Sequence, residues 1–157
     1  MGERPIVIYS YKHDRISAIA ALSVSAIQGR LGLYVRFQVE NFKATHVARF
    51  LRQLLRHLRG NVVLLWDQAL IHKGPAIGQV LRGHPRLHLE YFPGYAPELN
   101  PVEQVWCNFK RRSANSLFTD REQVRANLHY SSHLARTSQR RLRSFVLASG
   151  LPSPPWS

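Results

Sequence analysis

The clearest pattern of apolar and polar positions lies between residues 44 and 59. Val47, Phe50, Leu51, Leu54, Leu55 and Leu58 recur at the spacing of one helix face, and Arg49, Arg52, Arg56 and Arg59 fall outside that stripe. The pattern predicts an amphipathic helix from Ala44 to Arg59 that stops at Gly60. Period-two patterning precedes it. Leu33, Val35, Phe37 and Val39 alternate with Tyr34, Arg36 and Gln38, which predicts a strand over 31–39. Arg15 to Ser25 mixes apolar and small residues and reads as a buried strand. With Gln28-Gly29-Arg30 as the turn, the two form an antiparallel hairpin. Ile6 to Tyr9 reads as a short strand or an extended arm.

After the helix, Asn61 to Trp66 is apolar at nearly every position, as expected of a parallel strand covered on both faces. Pro75 to Leu81 predicts a short helix ending at Gly83, and Leu87 to Phe92 another strand. Pro93, Pro97 and Pro101 stiffen a loop, and a helix is expected from Pro101 to about Ser113. Glu122 to Ala148 is helical in composition, with a break expected near Tyr130-Ser131-Ser132, and a Pro-rich tail closes the chain. The order β, β, α, β, α, β, α indicates an α/β fold. Residues 1–113 read as its core, 114–150 as a basic helical segment of the same domain, and 151–157 as a tail.

At 157 residues the chain is long enough to bury a core as one domain. Twenty-two Lys and Arg stand against nine Asp and Glu, a net charge of +13. That imbalance favours a polyanionic partner, with a solvated basic surface as the plainer alternative. Cys107 is the only cysteine, so no disulfide or cysteine-based zinc site forms within one chain, which suits a reducing compartment. No apolar run is long enough to predict a membrane helix, and residues 1–5 lack the core of a signal peptide.

Against that basic background two acids stand out. Asp67 ends the apolar strand, where open α/β sheets bind ligands. Glu103 follows after 35 intervening residues, at the start of the helix behind the Pro-rich loop. Each has a structural alternative. Asp67 can cap the next turn. Asn100, Pro101 and Glu103 fit N-cap, N1 and N3, so Glu103 can close a capping box. The functional reading is a pair of hard oxygen ligands for Mg²⁺ facing a phosphodiester. It expects the two acids close together at the carboxyl edge of the sheet.

Several stretches together carry a resemblance: Asp14-Arg15-Ile16-Ser17-Ala18-Ile19, Leu64-Leu65-Trp66-Asp67, Ile71-His72-Lys73-Gly74, and Pro97-Glu98-Leu99-Asn100-Pro101-Val102-Glu103 with Trp106 and Lys110. From Arg15 to about Arg112 the chain resembles the catalytic domain of DDE-type transposases, in the bacterial insertion-sequence branch (insertion sequence 630 type) related to the mariner elements. The resemblance implies an RNase-H-like mixed sheet flanked by helices. It implies metal-dependent cleavage of DNA at transposon ends and joining of the freed 3′ hydroxyls to target DNA. It makes Asp67 and Glu103 the second and third of three catalytic acids and ligands of Mg²⁺ or Mn²⁺, two ions in the complete family site. The first acid and its central strand lie N-terminal to the Asp14 stretch in the family. They have no counterpart here, so the chain reads as N-terminally truncated and inactive by itself. Asp14 begins the first hairpin strand and is not that acid. Gly94 stands where the family commonly has a second proline.

His72, Lys73, Lys110, Arg111 and Arg112 surround the two acids in sequence and are expected to contact DNA phosphates, with a solvated face as the alternative. Trp66 and Trp106 read as core aromatics. The resemblance implies transposon ends and target DNA as partners, admits a homodimer, and places the protein at the nucleoid in a bacterial cytoplasm, with no membrane involved. The other reading of the same residues is a non-catalytic, nucleic-acid-binding remnant of a transposase.

Overall fold

The computed structural model describes residues 16–94, 96–114 and 116–151. The Ile6–Tyr9 segment, Asp14 and nearly all of the Pro-rich tail lie outside these. The first hairpin forms as expected. Strand β1 (Ser17–Val24) pairs antiparallel with β2 (Leu31–Gln38), in a register running from Ser17 opposite Gln38 to Val24 opposite Leu31. Gly29, at φ +60°, supplies the left-handed residue of the connection. β1 is half-buried rather than buried, because only one face of the hairpin is thickly covered.

Helix α1 (Ala44–His57) buries Val47, Phe50, Leu51, Leu54 and Leu55, the predicted stripe. Its first turn is closed by His46, whose ring Nδ1 accepts from the Lys43 N–H. Gly60, at φ +70°, turns the chain into β3 (Val62–Trp66). After helix α2 (Pro75–Gly83), strand β4 (Leu87–Tyr91) pairs parallel with β3, from Val62 opposite Leu87 to Trp66 opposite Tyr91. At the start of this pair the Arg86 guanidinium donates to the carbonyls of Leu55 and Gly60, tying the end of α1 to the β4 side.

One expectation fails here. β3 is not covered on both faces: Val62, Leu64 and Trp66 turn toward α1 and α2, while Val63 is 61% and Leu65 47% exposed. Among the described residues the strands do not form one sheet. The two strand pairs stand as separate two-stranded sheets, with no ladder between β1 and β3. The separation of the strand pairs explains the exposure, since a two-stranded sheet offers too narrow a face to be roofed on both sides.

Three helices follow: α3 (Pro101–Ser113), α4 (Arg121–Arg136) and α5 (Gln139–Leu147). The break expected near Tyr130-Ser131-Ser132 lies instead at Thr137-Ser138. Ser131 is buried within α4, and the Ser138 hydroxyl caps α5 by accepting from the Arg141 N–H.

The apolar residues gather into two cores. One unites Leu31 and Leu33 of β2 with Val105 and Phe109 of α3, Ala135 of α4, and Leu142, Phe145 and Val146 of α5. The other unites α1 and α2 with Trp66 and Leu87. Ile19 of β1 packs against this second core, so the first sheet lies between the two.

Candidate metal and DNA site

The loops that follow β3 and β4 meet the start of α3. Their residues line a cleft of about 390 Å³ bounded by Asp67, Gln68, Phe92, Pro93, Ala96, Pro97, Asn100 and Glu103, with Gly94 at its rim. The two acids singled out in the sequence therefore share one cavity. Each comes from a different core: Asp67 follows the buried Trp66 of the second, and Glu103 precedes the buried Val105 of the first.

Asp67 uses one oxygen for structure. Its Oδ1 accepts from the Ala69 N–H at 3.0 Å and lies 2.8 Å from Nδ1 of His72. Nδ1 is also 3.2 Å from the Asp67 carbonyl oxygen. Facing two oxygen acceptors, Nδ1 carries the proton. The turn-capping alternative is thus realised, but on Oδ1 alone. A 3-10 turn over Leu70–His72 brings the imidazole back to the carboxylate. The ring then stacks on the indole of Trp66, with centroids 4.4 Å apart and planes 3° from parallel.

Glu103 does not close a capping box. The Asn100 side chain accepts from the Val102 N–H at 3.1 Å, and the Asn100 carbonyl accepts from the Glu103 N–H. The Glu103 side chain makes no hydrogen bond or ion pair among the described residues and is exposed at the cleft. A 3-10 turn over Pro97–Leu99 builds the preceding loop. The far end of the chain holds it, because the Gly150 N–H donates to the Glu98 carbonyl at 3.1 Å.

The expected phosphate contacts divide. Lys73 is exposed just past the His72 turn. Lys110 is exposed two turns beyond Glu103 and shares its face of α3, about 10 Å along the axis. Arg111 is exposed on the adjoining face. Arg112 turns the other way and lies over the Tyr130 ring of α4 at 5.8 Å. His72 is committed to Asp67, a pairing that sequence spacing did not reveal because it depends on the 3-10 turn. Gln68 also lines the cleft, and no sequence pattern around it marks it. Of the tryptophans expected in the core, Trp66 is buried and Trp106 packs partly buried against the first core.

Among the described residues no three His, Cys, Asp or Glu side chains cluster as a metal-binding group. Two unengaged carboxylate functions on one cleft nevertheless suit a hydrated Mg²⁺, which is commonly held by one or two carboxylates and completes its shell with water and substrate phosphates.

The fold has solved counterparts. The catalytic domain of Mos1 mariner transposase matches over 91% of this chain and 85% of its own, at 16% identity and a TM-score of 0.53. The same domain solved with raltegravir and Mg matches at 16% identity over 91% of this chain and 87% of its own, with a TM-score of 0.52. The form with raltegravir and Mn gives 16%, 91%, 86% and 0.53. These likenesses establish the RNase-H-like α/β fold. No curated protein matches the sequence. The family profile described as DDE superfamily endonuclease matches residues 1–125, which include both acids of the cleft. The chain belongs to the DDE superfamily of endonucleases.

Proposed function

We propose that the Asp67–Glu103 cleft is the metal-binding, phosphodiester-cleaving centre of an insertion-sequence transposase. The observation that carries this reading is the convergence of two carboxylates, from two separate cores, on one cleft in a chain of net charge +13. The free oxygen of Asp67 and the carboxylate of Glu103 would hold Mg²⁺ or Mn²⁺, and the similar Mos1 structures with Mg and with Mn support that choice. Such an ion supplies Lewis-acid polarisation of the scissile phosphate and lowers the pKa of the attacking water.

The chain's own residues place the DNA. Lys73, Lys110 and Arg111 offer cations beside the cleft for phosphate oxygens, which fixes the register of the backbone without reading its sequence. Water attack on phosphorus breaks the bond to a 3′ oxygen, which leaves with a proton as a 3′ hydroxyl. Strand transfer repeats the displacement, with that hydroxyl attacking a target phosphodiester and the target's 3′ oxygen leaving. His72 holds Oδ1 of Asp67, so that the other oxygen stays available.

With only two acids at the cleft among the described residues, an ion would be held weakly. The 157-residue chain by itself is therefore expected to bind metal and DNA and to cut slowly or not at all. That same observation favours the second reading, a non-catalytic DNA-binding remnant. A nicking assay on plasmid DNA with Mn²⁺ tests both, using this chain and a form extended at its N-terminus by the upstream reading frame. Nicking by the extended form, abolished by Asp67→Ala or Glu103→Ala, is the expected result. DNA binding without nicking or Mn²⁺ binding in either form would leave the remnant reading standing.

A further inference from the structure

We propose that the outer face of α1 is a second contact surface for the phosphate backbone of duplex DNA, separate from the Asp67–Glu103 cleft. Arg49, Arg52 and Arg56 follow one another at spacings of three and four residues, and all are exposed. At 3.6 residues per turn they fall within an arc of about 60°, on the side opposite the buried Val47, Leu51, Leu54 and Leu55. They form a straight row about 10 Å long, and exposed Arg59 extends it past the helix end. A strand of B-DNA advances about 3.4 Å per phosphate, so such a row spans about three phosphates.

None of these four arginines makes a hydrogen bond or an ion pair among the described residues. The helix itself contains no acid. From residue 41 to residue 86 the sequence has eight Lys and Arg and one acid, Asp67. Like charges at i, i+3 and i, i+4 repel and weaken a helix. Here no carboxylate relieves them, and a polyanion would. Guanidinium groups suit phosphate because their paired N–H donors match its oxygens. A lipid surface does not fit, since the apolar face that would enter it is already spent on the core.

The row also has a direction. Arg86, beside the start of β3, bonds the Leu55 and Gly60 carbonyls. The Arg56–Arg59 end of the row therefore lies at the start of β3, and the Arg49 end toward the β3 terminus that carries Asp67. The row leads away from the cleft along the same body. The inference rests on the reading of the protein as a DNA-binding one, but not on the metal site.

The test is binding of a 30-base-pair duplex to the 157-residue chain across a salt series, in EDTA so that the cleft plays no part. The Arg49→Gln, Arg52→Gln, Arg56→Gln triple variant is compared with Arg136→Gln, Arg140→Gln, Arg143→Gln, which removes equal charge from α4 and α5. At about 0.9 per phosphate contact, the α1 triple should flatten the log K against log salt slope by about 2–3. Affinity should fall on the order of 10²-fold at 100 mM salt. The α4–α5 triple should change the slope by less than about 1. Each single Arg→Gln variant should take about 0.9 from the slope, which keeps the test open if the triple does not fold. A triple Arg→Lys variant should keep the slope. An unchanged slope in the α1 variants, or an equal loss in the α4–α5 control, overturns the proposal. Loss of nicking with this binding intact would count against the cleft alone.

Discussion

The imidazole of His72 lies flat against the indole of Trp66, 4.4 Å between centroids, and in that pose its Nδ1 meets Oδ1 of Asp67 at 2.8 Å. Trp66 is buried, so the stack ties an exposed carboxylate to the core through an aromatic pair. Groups that orient metal ligands in this way commonly matter 10–100-fold to metal affinity. His72→Ala should weaken Mn²⁺ binding by about that factor, and Trp66→Leu should do so less severely. Mn²⁺ titration followed by electron paramagnetic resonance reads both. Equal affinity in wild type and His72→Ala would show that the carboxylate needs no such support.

Asn100 sets the start of α3 and thereby the position of Glu103. Asn100→Ala removes the acceptor for the Val102 N–H and should cost about 0.5–2 kcal/mol, while Asn100→Asp should cost much less. Thermal unfolding measures the loss. Mn²⁺ affinity should fall in the same order, since a frayed first turn no longer fixes the carboxylate.

Arg86 serves two carbonyls, those of Leu55 and Gly60, that lie where α1 gives way to β3. Arg86→Met keeps much of the side-chain length and leaves both without their charged donor. It should destabilise the protein by roughly 1.5–3 kcal/mol in urea unfolding, and Arg86→Lys by less. A loss as large with lysine as with methionine would assign the effect to guanidinium geometry instead of charge.

Leu142 is fully buried at 0% exposure, among α3, α4 and β2 residues. Leu142→Ala should cost about 2–5 kcal/mol. Because that core carries α3, the variant should also lower the stability that Mn²⁺ adds. Duplex binding in EDTA by the α1 arginines should change little at temperatures where the variant remains folded.

Much of this architecture was legible in the sequence because single-face patterns dictate it. The α1 stripe, the β1–β2 hairpin and the Pro101 helix start each rest on local spacing, and each formed within a few residues of expectation. The exposed Val63 and Leu65 were not legible. A run of apolar residues states how much a strand can bury, whereas the number of neighbouring strands decides how much it does bury. The position of the α4–α5 break was missed for a related reason. Serines 131 and 132 look like breakers, yet buried Ser131 fits inside α4, while Ser138 has an open N–H turn to cap.

At the site, Asp67 and Glu103 were legible from chain position and motif, and their shared cleft followed from the strand and helix ends. The engagement of His72 was not legible, because five residues of sequence separation say nothing about a ring's orientation. Arg112 adjoins Lys110 in sequence, but helical rotation sends the two to different faces.

The two acids belong to different cores, and that arrangement bears on how the molecule moves. Among the described residues, local opening of β3, β4, α1 and α2 breaks side-chain contacts to the first sheet, such as Arg36 with Gln53, but no backbone ladder, so the two bodies can exchange amide hydrogens at different rates. A cation gripped by Asp67 from one side and Glu103 from the other would act as a rivet across the seam. Occupancy would then fuse two cooperative units into one and equalise their exchange, and release of the ion would give each half back its own clock.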